Sequence, residues 1–239
     1  ANNLALRRYG IASDRPDTRP AGGGARYVLL LNPDTVVPPT ALRDLVAFLD
    51  AHPAIGVVGP KVLRPDGRLD LACRRSFPTP AVALYRMVGL SRLFPRSRRF
   101  GRYNLTYLDP DQPAEVDAVM GACMMVRSAA IEQAGLLDER FFLYGEDLDW
   151  ALRIKQQGWK VVYYPQVMVL HHKGASSRRA SERSLREFYR AMLIFYRKHY
   201  AAQTFFLVNW LIVTAIYLWG TVAYIRNQLR PKDLRRVSG

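Results

Sequence analysis

The stretch "YVLLLNPDT", residues 27–35, predicts the fold class of the chain. Its first five residues form a short, continuous apolar run, which is typical of a β-strand that is buried on both faces. A polar turn follows at once and places Asn32, Asp34 and Thr35 at the carboxyl end of that strand. Because open α/β sheets bind ligands at this edge, we expect the turn to lie at a ligand site. The competing interpretation is that Asn-Pro-Asp is simply a good turn sequence.

The segments that follow alternate between helical and extended patterns. Thr40 is placed to cap a helix, "ALRDLVAFLDA", and "IGVVGPKVL" then predicts a second strand. Residues 114–135 have the pattern of extended structure followed by a short helix that ends at Gly135, and "KVVYYP" and "VMVLHH" predict two late strands. This order predicts an α/β fold in which helices flank a mostly parallel sheet.

The charge of the chain narrows the classes of partner. Lys and Arg number 35 against 20 Asp and Glu in 239 residues, which gives a formal net charge of +15. Such an excess predicts an anionic partner: a nucleic acid, an anionic membrane surface or a phosphorylated substrate. The two cysteines, Cys73 and Cys123, are too few for a disulfide framework, so a reducing compartment is expected.

An acidic cluster stands out in this basic chain. In "FFLYGEDLDWALR", residues 141–153, three acids follow an aromatic run and a glycine: Glu146, Asp147 and Asp149. An ionised carboxylate near a helix N-terminus can act as a general base for a hydroxyl. Adjacent helix residues point about 100° apart, so Glu146 and Asp147 cannot both face one reacting atom. The alternative is an ordinary acidic first turn of a helix.

A pair of histidines ends the last predicted strand. In "VLHHKGASS", residues 169–177, strand alternation sends His171 and His172 to opposite faces, so one of them is expected at a shared site. Such a histidine is suited to metal binding, and a structural histidine is the alternative. Asp34 suits an oxygen-coordinated Mg²⁺ or Mn²⁺ that bridges a carboxylate and a diphosphate. Lys173 would neutralise phosphates or belong to a solvated basic face.

The C-terminal part has a different character. Residues 182–200 predict a helix in which basic and aromatic residues are interleaved, and residues 201–225 carry no charged side chain. As a helix the latter would be about 37 Å long, enough to cross a hydrocarbon layer of about 30 Å. This pattern favours a membrane span, and burial in a partner subunit is the alternative. Basic residues flank both ends, so the positive-inside rule selects no orientation, and a shallow insertion would suit both flanks.

The order of these motifs resembles a known family. An Asp after a buried strand, then "DERFFLYGEDLDWALRIKQQG" and then "HHKGASS" resemble the inverting GT-A nucleotide-sugar glycosyltransferases of family 2, specifically their rhamnosyltransferase-like branch. "ANNLALR" and "GACMMVRSAAIEQAGLLDERFF" are also similar to that family's pattern. The resemblance covers residues 1–177. It implies a GT-A, Rossmann-like sheet with flanking helices whose N-terminal strands would precede Ala1, so a truncated domain is expected.

The resemblance also implies roles for individual residues. Asp147 would deprotonate the acceptor hydroxyl and Glu146 would position the acceptor or that base, while Asp34 and His171 would bind a divalent metal and the diphosphate. The full set of implied site residues is as follows: catalytic Asp147 and Glu146; donor- or diphosphate-binding Asn32, Asp34, Asn3 and Lys173; acceptor-cleft Gly121, Ala122, Tyr144 and Trp150; metal-binding Asp34 and His171.

The expected function follows from the same resemblance. It is the metal-dependent transfer of a sugar such as rhamnose, with inversion, from a nucleoside-diphosphate donor to a lipid-linked glycan at the cytoplasmic membrane face. Mg²⁺ or Mn²⁺ is the implied cofactor. The expected organisation is a partial GT-A domain over residues 1–180, a basic amphipathic helix over 181–200, a membrane helix over 201–226 and a basic tail over 227–239.

Three other functions compete with this expectation. A processive polysaccharide synthase should show Gln-x-x-Arg-Trp and several apolar spans, whereas this chain has "QQGWK" and one such stretch. A nucleic-acid-binding protein would explain the charge, but its basic residues should form one stripe with stacking aromatics. An inactive, membrane-bound remnant that binds a partner enzyme is the third, because the expected N-terminal strands are missing.

Overall fold

The computed structural model of the protein describes residues 2–9, 11, 24–172 and 181–229. The chain divides into two compact units, each discontinuous in sequence. The first comprises Ala1–Pro78, Val82–Leu137 and Asp147–His172, and the second comprises Thr79–Ala81, Asp138–Glu146 and Lys173–Gly239. The domains expected from the sequence are consecutive segments and do not correspond one to one with these discontinuous units. The expected boundaries therefore stay predictions.

The elements in chain order agree closely with the sequence patterns. The described α-helices are α1 (Asn2–Arg8), α2 (Ala41–Ala51), α3 (Pro80–Met87), α4 (Leu90–Leu93), α5 (Ser128–Ala134), α6 (Glu146–Gln156), α7 (Ser181–His199) and α8 (Phe206–Gln228). The described strands are β1 (Tyr27–Leu31), β2 (Thr35–Val36), β3 (Ile55–Leu63), β4 (Arg74–Arg75), β5 (Ala114–Glu115), β6 (Ala118–Val119), β7 (Cys123–Arg127) and β8 (Lys160–His171). Two short 3₁₀ helices are Leu71–Cys73 and Ala201–Gln203.

The larger sheet has the strand order β1-β7-β3-β8-β2, with β5 also paired to β8. β3 and β8 pair in parallel, and β7 lies antiparallel between β1 and β3. β1, β3 and β8 therefore run in one direction and contain most of the residues of this sheet, while the short β2 and β5 run the opposite way with β7. The α/β prediction with its mostly parallel sheet is confirmed. β4 and β6 form a separate two-stranded sheet.

Two details of this sheet differ from the expectation. The two late strands are one strand, β8, whose register against β3 jumps between Tyr164 and Met168. This irregularity takes up Pro165, which has no amide hydrogen to give to a ladder. β1 is half-buried and, among the described residues, lies at the edge of the sheet, so it is not the fully buried strand that its sequence predicts.

The core of the first unit forms where α2 packs on the sheet. Ala41, Leu45 and Leu49 recur every four residues, which places them on one helix face, and all three are buried against Val58 and Met125. Burying a leucine side chain contributes about 1.5–3 kcal/mol. Thr40 is the N-cap residue as predicted, although its side chain makes no capping hydrogen bond.

The second unit contains α7, α8 and the segment 138–146. Lys198 on α7 donates to the Asp138 carboxylate at 2.7 Å, and Arg183 lies over the ring of Phe142 at 4.5 Å. Hydrogen bonds from Arg140 and from Lys198 hold the pKa of Asp138 well below its ordinary value. By length and composition α8 could cross a membrane, and it is the one such helix within the described part of the chain.

Candidate active site

The polar turn after β1 closes onto the end of β8. Thr35 of β2 is paired with His171, and the amide of His172 donates to the carbonyl of Asp34 at 2.9 Å. These backbone contacts place His171 Nε2 3.1 Å from Asp34 Oδ1. The structure thus brings together the two residues that the family resemblance assigns to a metal, and it does so through strand pairing.

The Asp34–His171 pair fits a divalent cation that takes its other ligands from substrate and water. Asp34 keeps 29% of its side chain exposed, whereas His171 is buried and its Nδ1 has no hydrogen-bond partner within the described residues. The same described residues contain no group of three or more potential metal-binding side chains. Mg²⁺ commonly uses one or two carboxylates together with substrate phosphates and water, so a pair is sufficient for that coordination.

Asp147 lies buried at the start of α6, where it meets a cation that sequence reasoning missed. Its Oδ2 accepts from Arg75 at 2.5 Å and from the Gly121 amide at 3.0 Å, while its Oδ1 accepts from the Leu148 amide at 2.8 Å. Arg75 also donates to the Val119 carbonyl at 2.8 Å. Arg75 belongs to β4, which pairs with β6, so the small sheet carries the arginine to Asp147.

The ion pair fixes the charge of Arg75. Burial alone disfavours the charged guanidinium, but the Asp147 carboxylate outweighs that effect, with a smaller contribution from Tyr103, and raises the pKa of Arg75 above its ordinary value. Arg75 follows Arg74 in a chain rich in arginine, so no spacing or neighbouring residue marks it in the sequence. Only the pairing of β4 with β6 distinguishes Arg75 from the other arginines of the chain.

The turn at Gly121 and Ala122 joins these two groups of residues. The Asn32 amide donates to the Ala122 carbonyl at 2.9 Å, and the Thr35 hydroxyl donates to the same oxygen at 3.3 Å. The next amide back along the chain, that of Gly121, holds Asp147. Asn32, Asp34, Gly121, Ala122 and Asp147 are therefore neighbours in one unit. A methyl group at Gly121 would only make an ordinary contact, 3.4 Å from Asp147 Cβ.

The structure gives two other predicted site residues a different role. Trp150 is fully buried and its indole donates to the Gly135 carbonyl at 2.8 Å, so it belongs to the core and cannot line an open acceptor cleft. Asn3 is buried and uses both ends of its amide on Leu137, donating to the carbonyl at 2.8 Å and accepting from the amide at 3.1 Å. Asn3 therefore anchors α1, and its assignment to the donor stays a prediction.

The remaining predicted residues lie in the second unit or outside the described residues. Tyr144 adopts a positive φ of 69° and packs edge-on against Phe188 with ring centroids 6.0 Å apart. Burial raises the pKa of Tyr144, and a hydrogen bond with Ser184 opposes that shift. Glu146 is half-buried and begins α6. Lys173 lies outside the described residues, so its assignment to phosphates stays a prediction.

The first turn of α6 also contains a buried acid with a structural role. Asp149 is fully buried and pairs with Arg153 at 2.9 Å, one helical turn later. Arg153 in turn donates to the carbonyl of Ala134, the last residue of α5, at 2.5 Å and to that of Leu136, just beyond α5, at 2.8 Å. Asp147 and Asp149, which flank Leu148, therefore make different contacts. Asp147 bonds the Gly121 turn, whereas Asp149 ties α6 to the end of α5 through Arg153.

Comparisons with known proteins identify the family of the chain. A family model described as "Glycosyltransferase like family 2" matches residues 11–190. The chain is 28% identical to the N-acetylglucosaminyl-diphospho-decaprenol L-rhamnosyltransferase of Mycobacterium tuberculosis over 88% of its own length and 67% of that protein. It is 27% identical to the Low-salt glycan biosynthesis hexosyltransferase Agl10 of Haloferax volcanii, over 61% of this chain and 42% of that protein. A crystal structure of GalNAc-T7 with UDP, GalNAc and Mn²⁺ aligns with a TM-score of 0.39 at 18% identity, over 64% of this chain and 28% of that one.

Proposed function

Since the chain belongs to the family described as "Glycosyltransferase like family 2", we propose that it moves a sugar from a nucleoside-diphosphate donor to a lipid-linked acceptor. The observation that carries this proposal is that the Gly121–Ala122 turn bonds both Asp147 and the turn that contains Asp34, which in turn contacts His171, all within the residues that the family model matches. Three residues far apart in sequence provide a carboxylate–imidazole pair and a separate buried carboxylate in one unit. These are the side chains that a displacement at an anomeric carbon needs.

The relatives support a narrower choice of substrate. The name of the mycobacterial relative specifies rhamnose transfer to a decaprenol-linked, diphosphate-bearing N-acetylglucosamine. We assign this chain the same class of reaction: a deoxysugar such as rhamnose moved onto a lipid-linked glycan during the synthesis of a cell-wall or surface polysaccharide. The cytoplasmic face of the membrane is the proposed location, with α8 as the anchor.

The proposed mechanism gives Asp147 the proton of the acceptor hydroxyl. A carboxylate has about four lone-pair positions. In Asp147 the two on Oδ2 are used by Arg75 and Gly121, and one on Oδ1 is used by Leu148. The remaining position on Oδ1 is where the hydroxyl would bond before it attacks the anomeric carbon from the side opposite the diphosphate. One base is enough for such an inverting displacement.

The Asp34–His171 pair serves the leaving group in this mechanism. A divalent cation bound to Asp34, with His171 beside it, would stabilise the negative charge on the departing diphosphate. His171 orients the Asp34 carboxylate through the contact at 3.1 Å. Asn32, whose backbone is fixed by Ala122, holds the turn in place at the carboxyl edge of the sheet.

A donor panel tests the proposal directly. The full chain is prepared in membranes that contain a polyprenyl-diphosphate-linked N-acetylglucosamine. It is then supplied with dTDP-rhamnose, UDP-glucose, UDP-galactose or GDP-mannose. Release of the nucleoside diphosphate and formation of the glycolipid product are both measured. We expect acceptor-dependent release with at least one donor, and with dTDP-rhamnose in the narrower assignment. Release with none of the donors, by a chain that is folded and membrane-bound, would favour the inactive remnant.

A further inference from the structure

The two C-terminal helices form an antiparallel hairpin. Gln228 at the end of α8 donates to the Glu182 carboxylate at the start of α7, at 2.9 Å. Further along, Tyr189 of α7 lies against Gly220 of α8, so closely that a Cβ there would come within 3.2 Å of the ring. α7 therefore lies along the C-terminal half of α8, and any position that α8 takes in a membrane must also suit α7.

α8 exposes an apolar surface along its whole length. It buries Ile216 and Asn227, and most of its other side chains are exposed, including Trp210, Tyr217 and Trp219. Tyr217 is the midpoint of the helix, and Trp219 is two residues away. Tryptophan and tyrosine favour the boundary between headgroups and acyl chains. In a spanning helix these two rings would lie at the bilayer centre, whereas in a helix parallel to the membrane they lie at that boundary.

α7 presents a basic stripe beside α8. Arg183, Arg186, Arg190 and Arg197 are separated by three, four and seven residues, which places them on one face of the helix. All four side chains are exposed, and Arg190 forms an ion pair with Glu187, with Nη1 and Oε2 3.4 Å apart. If α8 crossed the bilayer, α7 would enter the hydrocarbon with it. Charged side chains at the bilayer centre are costly, so this arrangement is disfavoured.

We propose that the α7–α8 hairpin lies in the plane of one leaflet of an anionic membrane, with α8 among the acyl chains and the arginine stripe of α7 at the lipid phosphates. A helix parallel to the surface needs an apolar face and a charged face, and here two packed helices supply them. A basic cluster at the surface is attracted to anionic phospholipid, which supplies the charge complement. Both ends of α8 are then on the same side of the membrane.

A groove between the two helices has the lining that one lipid phosphate and the start of its acyl chain would need. It is an open groove of about 350 Å³, and Arg186 and Arg190 line it together with Tyr189, Ile216 and Tyr224. The two arginines are one helical turn apart, a spacing at which both guanidinium groups can bond one phosphate. The aromatic and aliphatic side chains below them provide an apolar wall for the start of an acyl chain.

A topology measurement tests the in-plane arrangement. This inference rests on the proposed location at the cytoplasmic membrane face, but not on which sugar is transferred. Single cysteines are introduced as Ala202→Cys, before α8, and Ser238→Cys, after it, and inside-out membrane vesicles from bacteria that express the full chain are treated with an impermeant maleimide. Cys73 and Cys123 are buried, so the unaltered chain gives the background.

We expect both introduced cysteines to react before detergent is added. If one reacts and the other requires detergent, α8 crosses the bilayer, and the in-plane arrangement is wrong while the membrane location stands. If the chain is absent from the membrane fraction, both the inference and the proposed location fail. Loss of sugar transfer with both cysteines still reactive would concern the proposed function alone.

Lipid dependence tests the arginine stripe. The full chain is mixed in detergent with vesicles of phosphatidylcholine, with or without phosphatidylglycerol, and the fraction that floats with the vesicles is measured after detergent removal. Arg186→Gln with Arg190→Gln should weaken association with the anionic vesicles about 25-fold at physiological salt, about fivefold for each arginine. The matched control is Arg43→Gln with Arg68→Gln, two exposed arginines of the first unit. Equal losses in both double variants, or equal binding to both kinds of vesicle, would overturn the proposal.

Discussion

At the scale of single residues, the ion pair between Arg75 and Asp147 distinguishes Asp147 from the other acids of residues 141–153. The sequence offers Asp147 as one of three acids at a helix start, but the structure buries it against a cation and a backbone amide. A buried ion pair is weak evidence for stability, because desolvation offsets most of the attraction. Removing one partner is nevertheless costly, since the other charge remains buried. Stability and catalysis at this position must therefore be measured separately.

Asp147→Asn should abolish sugar transfer and also destabilise the protein. We expect the variant to lose about 3–5 kcal/mol of stability, because Arg75 keeps its charge without a counter-charge. Turnover should fall about 10²- to 10⁴-fold, the usual contribution of a general base. Denaturant unfolding and steady-state product formation measure the two effects.

The double variant Arg75→Met with Asp147→Asn separates the two effects. It removes both charges together, so most of the lost stability should return while activity stays absent. Recovery of transfer in the double variant would show that Asp147 acts only as the partner of Arg75, and the base assignment would be wrong.

Asp34→Ala should weaken donor binding only where a divalent cation is present. Loss of a charge-assisted contact to the cation predicts about 10- to 100-fold weaker affinity for the nucleotide-sugar with Mn²⁺, and little change in EDTA. Calorimetric titration of the donor in both buffers gives the comparison, with Asp66→Ala on an exposed turn as the control. Equal affinities of the Asp34 variant and the unaltered chain in Mn²⁺ would remove Asp34 from the donor site.

At the scale of elements, α1 is held by one side chain. Asn3 bonds both backbone groups of Leu137 and is buried with Leu6, so the helix is fixed to the segment that follows α5. The resemblance assigns Asn3 to the donor, and the amide cannot serve both purposes at once. The two roles predict different results for the same substitution.

Asn3→Ala should destabilise the first unit without changing the affinity for the donor. Leaving the backbone groups of Leu137 buried and unpaired costs about 1–3 kcal/mol each, and water that reaches them reduces that cost. Asn2→Ala, at the exposed neighbouring position, should have little effect. Thermal unfolding combined with the Michaelis constant for the donor distinguishes the roles, because a raised Michaelis constant in a fully stable variant would return Asn3 to the donor site.

Helices and strands were predictable where a single local sequence pattern determines them. The apolar runs of β1 and β3 and the helical spacing of α2 match the observed bounds. Trp150 shows the limit, because an aromatic residue next to predicted site acids has the same local pattern whether it faces a cleft or the core. In the structure it is buried, and the carbonyl of Gly135, directly after α5, accepts its indole hydrogen.

At the scale of the whole molecule, the sequence predicted individual residues but not the contacts that position them. The family resemblance named Asp34 and His171 together, and the pairing of β2 with β8 places them within hydrogen-bond distance. Arg75 was missed because its partner is 72 positions away and the bonds depend on how β4, β6 and α6 meet. Local periodicity contains no information about such a contact between distant residues, and the motifs that carry the family resemblance do not include Arg75.

The net charge of +15 should affect how the chain reaches a membrane more than how long it stays there. Raising the ionic strength from 0.15 to 1 M shortens the Debye length from about 8 to about 3 Å and screens the arginine stripe of α7. Burial of the apolar surface of α8 is not screened, so at 1 M NaCl we expect a lower affinity for the membrane but, with lipid in large excess, continued recovery of the full chain in the membrane fraction. A chain that ends at His199 keeps α7 but lacks α8, and it should be released by the same wash. Sedimentation of membranes before and after the salt wash measures both. Release of the full chain by salt would mean that charge alone holds it, and the role of α8 as an anchor would have to be abandoned.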